Sequence, residues 1–398
     1  MKVLHIAPTP FFSDRGCHIR VLSIIQSIET FGVANILCTY PLGRDLPDVD
    51  IRRISAVSGY SRVEAGPQPG KIKADIKLLL LGLRTALKEK PDVIHAHLHE
   101  GVVLGWIIKW LLIWRRIPLV ADLQGGLVGE LDDHGFFSKP GWRSSALRSL
   151  FWLAELLILK LPAHIFCSSI NSEKIFLQEY KIRRAKITRL DDRVDLSAYD
   201  PDRKNKKASL PLGSRFIVVF SGSLLPIKGL DVLQHVILQL CRAREDIGFL
   251  LIGYPTDVMQ RFMVENKLET RVELVGRVAF ESLPEYLLSA DVGIEPKQSS
   301  SGEGSGKLLH YMAAGLAIAA FPTKHNQELA DKDAFAKENS ATALAQHIEQ
   351  LADNPARCHE LGKQNREKVE PFSLESGGNI IARVYRDLNL PCSSELPG

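Results

Sequence analysis

The sequence predicts an α/β protein with two doubly wound parallel sheets. Short apolar runs typical of buried strands alternate with longer segments in which apolar residues recur at helical spacing. This alternation occurs on both sides of a polar, proline-containing segment at 195–214, which is typical of a linker. The 398 residues also exceed the size of one ordinary core, so two domains are expected.

The predicted elements follow the same order in both halves. The first half has strands at 2–7, 34–40, 92–97, 118–123 and 164–169, and a helix at 19–32 that Gly32 closes. The second half has strands at 215–222, 247–253, 271–276, 291–296 and 316–321, and helices at 230–243, 282–290 and 341–353. Strands separated by helices indicate parallel sheets covered by helices on both faces.

Net charge and cysteine spacing limit which partners, metal or disulfide sites and cell compartment the sequence permits. The net charge of +4 permits an anionic substrate or an acidic membrane surface and does not require nucleic acid. The six cysteines form no CxxC pair, which argues against a zinc site or a disulfide framework and favours a reduced, cytosolic chain.

Two apolar stretches, 101–120 and 144–167, resemble membrane spans in hydropathy. Lys or Arg interrupts both of them, so they are predicted to be buried or interfacial helices. The second stretch combines Trp, Phe and Leu with Arg148 and Lys160, a pattern seen in helices that lie on a membrane. An ordinary amphipathic helix packed on a sheet is the alternative interpretation.

Ligands of open α/β sheets bind at the carboxyl ends of strands, so the loops after strands are the candidate sites, and two facing sheets would form a cleft. The first such loop, 8–20, opens a helix at Gly16, where a backbone without a side chain lets an anion approach. Arg15 and Arg20 add positive charge. A plain strand–helix connection is the alternative.

Histidines and glycines mark the next two loops of the first half. His95, His97 and His99 alternate in a run predicted to be extended, so they are expected to point to one side. A metal site is one interpretation, but strand-end histidines that bond a neighbour, one of which touches substrate, are favoured. In the loop 122–131, Gln124 and Gly125 suit either an amide that orients a hydroxyl or a simple turn.

The second half has two loops that suit a phosphate. After the strand 215–222, Gly222 and Ser223 turn the chain and Lys228 precedes a helix. The segment "SSSGEGSGKLLHYMAAG" at 299–315 is not a nucleotide-triphosphatase loop, because Ser301 and Leu308 occupy two of its required positions. It still supplies backbone N–H groups ahead of a helix that carries His310.

Together these loops resemble the retaining family 4 glycosyltransferases, which have the GT-B fold. The carrying motifs are "GSLLPIKG", "GKLLHYMAAG", "RLDDRVDLSAYDP", "LLIGYP" and "VELVGRV", with "FSLESGGNIIARVYRDLNL" as the segment that crosses back to the first domain. The resemblance implies two Rossmann-like domains that face a cleft. It places an acceptor-binding domain at 1–195, a nucleotide-sugar-binding domain at 196–371, and a crossover helix and tail at 372–398.

The resemblance also implies an activity. A sugar would move from a nucleotide-diphosphate donor to a hydroxyl of a glycan, a lipid-linked or a small-molecule acceptor, with anomeric configuration retained and with the departing phosphate as base. It implies no cofactor and no metal, no nucleic-acid partner, and a cytoplasmic location, with the inner face of the membrane as one alternative. A catalytically inactive binding subunit and a GT-B UDP-sugar epimerase are the competing interpretations.

Site residues carry over position by position. Lys228 matches the family's phosphate-binding lysine, Ser223 stands where an arginine is usual, and His310 replaces the glutamate that grips the ribose. Gly302 falls on the first glutamate of an E-x7-E pair, with Glu303 adjacent. The implied catalytic residues are Lys228, Gln124 and Glu303. The implied donor-binding residues are Gly16, Gly222, Ser223, Lys228, Tyr254, Arg277, Glu303, Gly304, Ser305, Gly306, Lys307 and His310. Arg20, His97 and Gly125 are expected on the acceptor side.

Overall fold

The computed structural model describes residues 1–63, 68–133, 136–137, 141–200, 215–298 and 306–388. The chain forms two compact units. Unit 1 comprises Met1–Arg193 together with Leu374–Gly398, and unit 2 comprises Val194–Ser373.

Unit 1 is built on a sheet of seven parallel strands. The strands are β1 (Lys2–Ala7), β2 (Ala34–Thr39), β3 (Asp50–Arg53), β4 (Val93–His97), β5 (Leu119–Leu123), β6 (His164–Cys167) and β7 (Ile187–Arg189). Their order in the sheet is β3-β2-β1-β4-β5-β6-β7. Strand order reverses between β1 and β4, and such a switch point opens a crevice at the carboxyl ends of the two strands.

Helices cover both faces of this sheet. They are α1 (Gly16–Glu29), α2 (Lys71–Glu89), α3 (Leu98–Leu111), α4 (Leu127–Asp133), α5 (Trp142–Lys160), α6 (Ile170–Lys174) and, in chain order, α14 (Leu374–Asp387). One face packs against α1 and α14 through a core that includes Val3, Ile24 and Tyr385. The opposite face packs against α2, α3 and α5 through a larger core.

Unit 2 repeats the architecture on five parallel strands. The strands are β8 (Phe216–Ser221), β9 (Ile247–Ile252), β10 (Val272–Gly276), β11 (Val292–Glu295) and β12 (Ala317–Ala320), in the order β10-β9-β8-β11-β12. The helices are α7 (Leu230–Ala243), α8 (Asp257–Glu265), α9 (Leu283–Leu287), α10 (Lys307–Ala313), α11 (Lys324–Leu329), α12 (Ala341–Asp353) and α13 (Pro355–Lys368). The switch point of this sheet lies between β8 and β11.

Single helical turns complete the described chain. They lie at Ile113–Arg115, Ile175–Glu179, Arg184–Lys186, Leu196–Tyr199, Pro226–Lys228, Phe280–Ser282, Lys332–Ala334 and Glu370–Phe372.

The prediction of two α/β sheets is confirmed, and every predicted strand is present. The two apolar stretches at 101–120 and 144–167 were predicted to be buried or interfacial helices, with the predicted strands 118–123 and 164–169 overlapping their ends. The first contains α3 and the start of β5, and the second contains α5 and β6, because buried strands are as apolar as the helices before them. No helix among the described residues is long and apolar enough to cross a membrane.

Candidate active site

In unit 2, a buried ion pair lies at the carboxyl ends of β8 and β11. Glu295, the last residue of β11, is 1% exposed, and its Oε2 lies 3.4 Å from Nζ of Lys307 at the start of α10. The Lys307 ammonium also lies 4.4 Å from the ring centroid of Phe220 in β8. The carboxylate further accepts the backbone N–H of Lys297 at 3.1 Å. Lys307 is therefore fixed at the switch point of the sheet.

Glycines bring the loop after β8 close to this lysine. Gly222 has a φ of +135°, and a Cβ at this position would lie 3.3 Å from Nζ of Lys307. The same loop turns at Gly229, with a φ of +82°, and a Cβ there would lie 2.4 Å from the carbonyl oxygen of Pro296. Only glycine fits both positions. The turn that carries Lys228 thus packs against the segment that follows β11.

Two lysines consequently share one small region. Burial lowers the pKa of Lys307, the Glu295 carboxylate opposes that effect, and the positive charge of Lys228 adds to it. The Lys228 side chain is partly exposed, and Ser223 lies in the same loop. With two ammonium groups and one carboxylate, this region suits an anion that interacts with both lysines.

His310 lies three residues after Lys307 on α10 and is 7% exposed. Its Nδ1 lies 2.8 Å from the Tyr199 hydroxyl, and the Phe280 ring contacts it edge-on with the ring centroids 5.4 Å apart. The imidazole is therefore packed and oriented within unit 2.

Two further predicted donor residues pair with each other. The guanidinium of Arg277 lies 4.4 Å from the ring centroid of Tyr254 and donates to its hydroxyl at 3.2 Å. Gly306 immediately precedes α10. Gly302, Glu303, Gly304 and Ser305 lie outside the described residues.

In unit 1, the loop after β1 is held by a buried histidine. Nδ1 of His18 accepts the backbone N–H of Ser13 at 3.0 Å, so Nε2 carries the proton and donates to Thr9 Oγ1 at 2.6 Å. Burial lowers the pKa of His18 to about 3, which keeps it neutral. A Cβ on Gly16 would meet nothing within 4 Å, so the start of α1 has open space beside it.

Arg20 and His97, expected on the acceptor side, belong to a buried polar chain. The Arg20 guanidinium donates to Asp122 at 2.6 Å and to Asp192 at 3.1 Å. Nδ1 of His97 lies 3.3 Å from Asp122, and Nε2 lies 3.0 Å from Nδ1 of His5. The Arg20 guanidinium counters burial and holds the pKa of Asp122 below its usual range. Both predicted acceptor residues thus have protein partners.

The prediction that His95, His97 and His99 point to one side is wrong for His99. Strand β4 ends at His97, and His99 lies in the first turn of α3, with its Nε2 3.5 Å from Glu155. His95 and His97 do stack, with ring centroids 4.9 Å apart. Among the described residues, no group of three or more His, Cys, Asp or Glu is arranged to hold a metal ion.

Gln124 and Gly125 follow β5 in a loop that a buried carboxylate holds. Glu155 of α5 is 0% exposed and accepts the backbone N–H groups of Leu127 and Val128 at 2.9 and 3.0 Å. It also accepts the Tyr180 hydroxyl at 2.6 Å. Gln124 itself is partly exposed. Glu155 therefore fixes the loop and leaves the amide of Gln124 accessible.

Sequence reasoning missed several residues that shape these loops: Glu295, Asp122, Glu155 and Tyr199. Asp122 and Glu295 could have been identified from the sequence, because each is a charged residue near the carboxyl end of an otherwise apolar strand. A buried charge requires a paired partner, which such a position predicts. Glu155 and Tyr199 gave no signal, since their partners are distant in sequence.

Two parallel sheets, each with its switch point and a glycine-containing loop there, are the architecture of the GT-B fold. Two family models match the chain: "Glycosyl transferase 4-like domain" over residues 14–191 and "Glycosyl transferases group 1" over residues 215–354. The chain belongs to the GT4-like glycosyltransferases and is an enzyme of that class.

Curated relatives agree with this assignment. The D-inositol 3-phosphate glycosyltransferase of Streptomyces avermitilis is 21% identical over 396 residues, which cover 92% of this chain and 80% of that protein. The phosphatidylinositol N-acetylglucosaminyltransferase GPI3 subunit of Saccharomyces cerevisiae strain YJM789 is 28% identical over 219 residues. That match covers 52% of this chain and only 43% of the yeast protein.

Solved structures share the fold. Sucrose-phosphate synthase from Thermosynechococcus elongatus aligns with a TM-score of 0.77 at 18% identity, covering 98% of this chain and 99% of the other. HepE from Anabaena in complex with UDP and glucose aligns with a TM-score of 0.74 at 16% identity, covering 97% of this chain and 99% of the other.

Proposed function

We propose that this enzyme transfers a sugar from a nucleoside-diphosphate sugar to an acceptor hydroxyl and retains the anomeric configuration. The observation that carries the proposal is Lys307, which Glu295 holds beside Gly222, with Lys228 in the loop after β8 and near enough for its charge to lower the pKa of Lys307. A diphosphate fits two ammonium groups better than a single phosphate does, because it offers oxygens on two phosphorus atoms. UDP in the HepE complex supports a nucleoside diphosphate as the donor class.

The chemistry follows from these charges. The bond between the anomeric carbon and the β-phosphate oxygen breaks, and negative charge develops on that oxygen. Lys228 and Lys307 stabilise this charge as preorganised electrostatics. The proton of the acceptor hydroxyl passes to the leaving phosphate oxygen while the new C–O bond forms on the face that the phosphate leaves. The lysines supply the positive charge that a metal ion supplies elsewhere, so no cofactor is required.

The α10 helix contributes less to this scheme than the lysines do. It has seven residues, so its dipole is small, and the proposal rests on side-chain charge instead. In unit 1, the accessible amide of Gln124 would orient the acceptor hydroxyl, with Gly125 allowing close approach. The contacts of Arg20 and His97 indicate that they hold the strand ends of unit 1 in place.

Lysine substitutions test the proposal. Lys228→Ala should lower kcat/KM by a factor that corresponds to about 2–4 kcal/mol of lost transition-state stabilisation, as for the loss of an oxyanion donor. The melting temperature should stay unchanged. Lys307→Ala should lower it less, because Glu295 already offsets part of its charge. Lys363→Ala, on the exposed side of α13, is the control. Wild-type kinetics for Lys228→Ala would contradict the proposed site.

The donor and the competing functions are distinguished by product analysis. Mass spectrometry of reactions with a panel of UDP-, GDP- and ADP-sugars should show one donor consumed and its nucleoside diphosphate released. A protein that binds a donor but releases no nucleotide from it would be an inactive binding subunit. A product with a changed sugar and an intact diphosphate would identify an epimerase.

A further inference from the structure

Helix α5 buries one side against unit 1 and carries a stripe of apolar residues on its exposed side. The buried face holds Glu155 and Leu159 against unit 1. On the opposite side, residues spaced four, four, three and four apart form a single stripe at helical periodicity: Trp142, Ala146, Leu150, Leu153 and Leu157. Trp142 is 77%, Leu150 61% and Leu157 55% exposed. A stripe of this kind on a soluble domain marks an interaction surface.

Helix α2 repeats this arrangement. Its buried residues include Ala74 and Leu78, and an exposed stripe lies on its other side: Ile72, Ile76, Leu80 and Leu87. Helix α3 contacts both α2 and α5. At its end Trp110 is 57% and Trp114 70% exposed. All three helices cover the same face of the seven-stranded sheet, so their outer sides form one surface, here called the docking face.

The tryptophan content and the charge of the docking face indicate which kind of partner it binds. The chain contains five tryptophans, and all of them lie in α3, α5 or the turn Ile113–Arg115: Trp106, Trp110, Trp114, Trp142 and Trp152. Tryptophan favours the interface between lipid and water.

The charge of the docking face complements an anionic surface. Helices α2, α3 and α5 with residues 112–116 contain eleven Lys and Arg and four Asp and Glu, a net charge of +7 against +4 for the whole chain. Some of the positive charge is offset locally, since Arg148 pairs with Asp132 of α4. The only carboxylate of α5 is the buried Glu155, so its exposed side carries Arg143 and Lys160 without an acidic neighbour on the helix.

We propose that the docking face binds the surface of an anionic lipid bilayer, with α5 lying in the interface and its leucine stripe in the acyl region. Burial of Trp and Leu side chains supplies the apolar part of the binding, and the Lys and Arg residues around them select anionic headgroups. The inference is independent of the donor and acceptor of the enzyme, because none of these residues belongs to the proposed site.

Vesicle binding by the full chain tests this proposal. The probes are vesicles of phosphatidylcholine alone and of phosphatidylcholine with phosphatidylglycerol. Wild type should co-sediment with the anionic vesicles, and its tryptophan emission should shift to shorter wavelength, because Trp110, Trp114 and Trp142 are exposed on the docking face. Binding should weaken as salt is raised.

Two variants distinguish membrane binding through the leucine stripe from a general effect of placing a charge at an exposed apolar position. Leu150→Glu/Leu157→Glu should reduce partitioning by roughly tenfold or more, since each leucine loses its burial in the acyl region. Val264→Glu, an equally exposed apolar position on α8, should bind like wild type. Thermal melting checks that the double leucine variant is folded. If that variant is unfolded, Arg143→Glu/Lys160→Glu replaces it, and this charge-reversal variant should also bind anionic vesicles more weakly than wild type.

Two outcomes would overturn the proposal. One is no binding and no spectral shift with either vesicle. The other is a dimer in analytical ultracentrifugation that the leucine variant dissociates, with no vesicle binding, which would assign the docking face to a second copy of this chain.

Discussion

At the scale of single residues, the site depends on how Glu295 holds Lys307. A buried ammonium is costly unless a carboxylate compensates it, and Glu295 is placed at the strand end for that purpose. Burial lowers the pKa of Lys307, and the same carboxylate opposes that effect. Glu295 is therefore a positioning residue for the proposed donor site.

Glu295→Gln tests this role. The amide still accepts the N–H of Lys297, but the loss of the charge lowers the pKa of Lys307 further. Because the charged lysine binds the diphosphate, kcat/KM falls as pH rises through that pKa, and in the variant the fall should begin at a lower pH. A pH profile measures this, with Glu285→Gln, an exposed position on α9, as the control. Superimposed profiles would show that Glu295 only supports packing.

His310 allows a second test at this scale. If the imidazole accepts a ribose hydroxyl, its protonation removes the acceptor, so donor affinity should fall as pH is lowered. His310→Glu should abolish this dependence, and His310→Ala should weaken binding by about 1 kcal/mol, the worth of one hydrogen bond.

Calorimetry with the donor at acidic and neutral pH measures all three proteins. Tyr199→Phe is the matched variant, because it removes the partner of Nδ1 and keeps the ring in place. Equal affinities throughout would mean that His310 serves only the packing of α10.

The sequence singled out loops at strand ends, but not the residues that hold those loops in place. Gly222 was recognisable as a turn residue, and its φ of +135° suits glycine. Glu155 was not, since it reaches from α5 to the amides of Leu127 and Val128, and no local pattern encodes a partner 28 residues away. His99 was misplaced because the strand β4 ends at His97, before the alternation of histidines ends.

At the scale of elements, the buried strands were predicted best. Both of their faces are covered, so they read as continuous apolar runs. The edge strands β3 and β7 were missed, because they are short and only partly buried. Helix α2 was also missed, and apolar residues occupy its exposed side as well as its buried side.

Glu155 allows a test of how α5 supports unit 1. Burial alone would raise its pKa, but His99, Tyr180 and the amide of Val128 together lower it. A lowered pKa means that the charged form stabilises the fold above the unfolded pKa of about 4, and that this contribution disappears as pH falls through the folded value.

Glu155→Gln should therefore cost about 1–3 kcal/mol of unfolding free energy at neutral pH, because an amide NH2 would meet a backbone N–H. The cost should shrink on acidification. Urea denaturation at several pH values measures it, with the exposed Glu179→Gln as the control. A pH-independent difference would rule out the charge as the cause.

At the scale of the whole molecule, the proposed mechanism relies on lysines for the diphosphate charge. Chelation with EDTA should therefore leave turnover unchanged. Steady-state kinetics before and after chelation test this, with re-addition of Mg²⁺ or Mn²⁺ as the control. A loss of activity that one metal restores would overturn the metal-independent scheme.

The helix α14 has a consequence for synthesis on the ribosome. Unit 1 begins with the first strand but takes Ile381, Val384 and Tyr385 of α14 into its core, with Nδ1 of His95 2.7 Å from the Tyr385 hydroxyl. Unit 2 is contiguous in the chain and emerges whole before that helix does. Vectorial synthesis therefore completes unit 2 before α14 is available to cover its side of the unit 1 sheet.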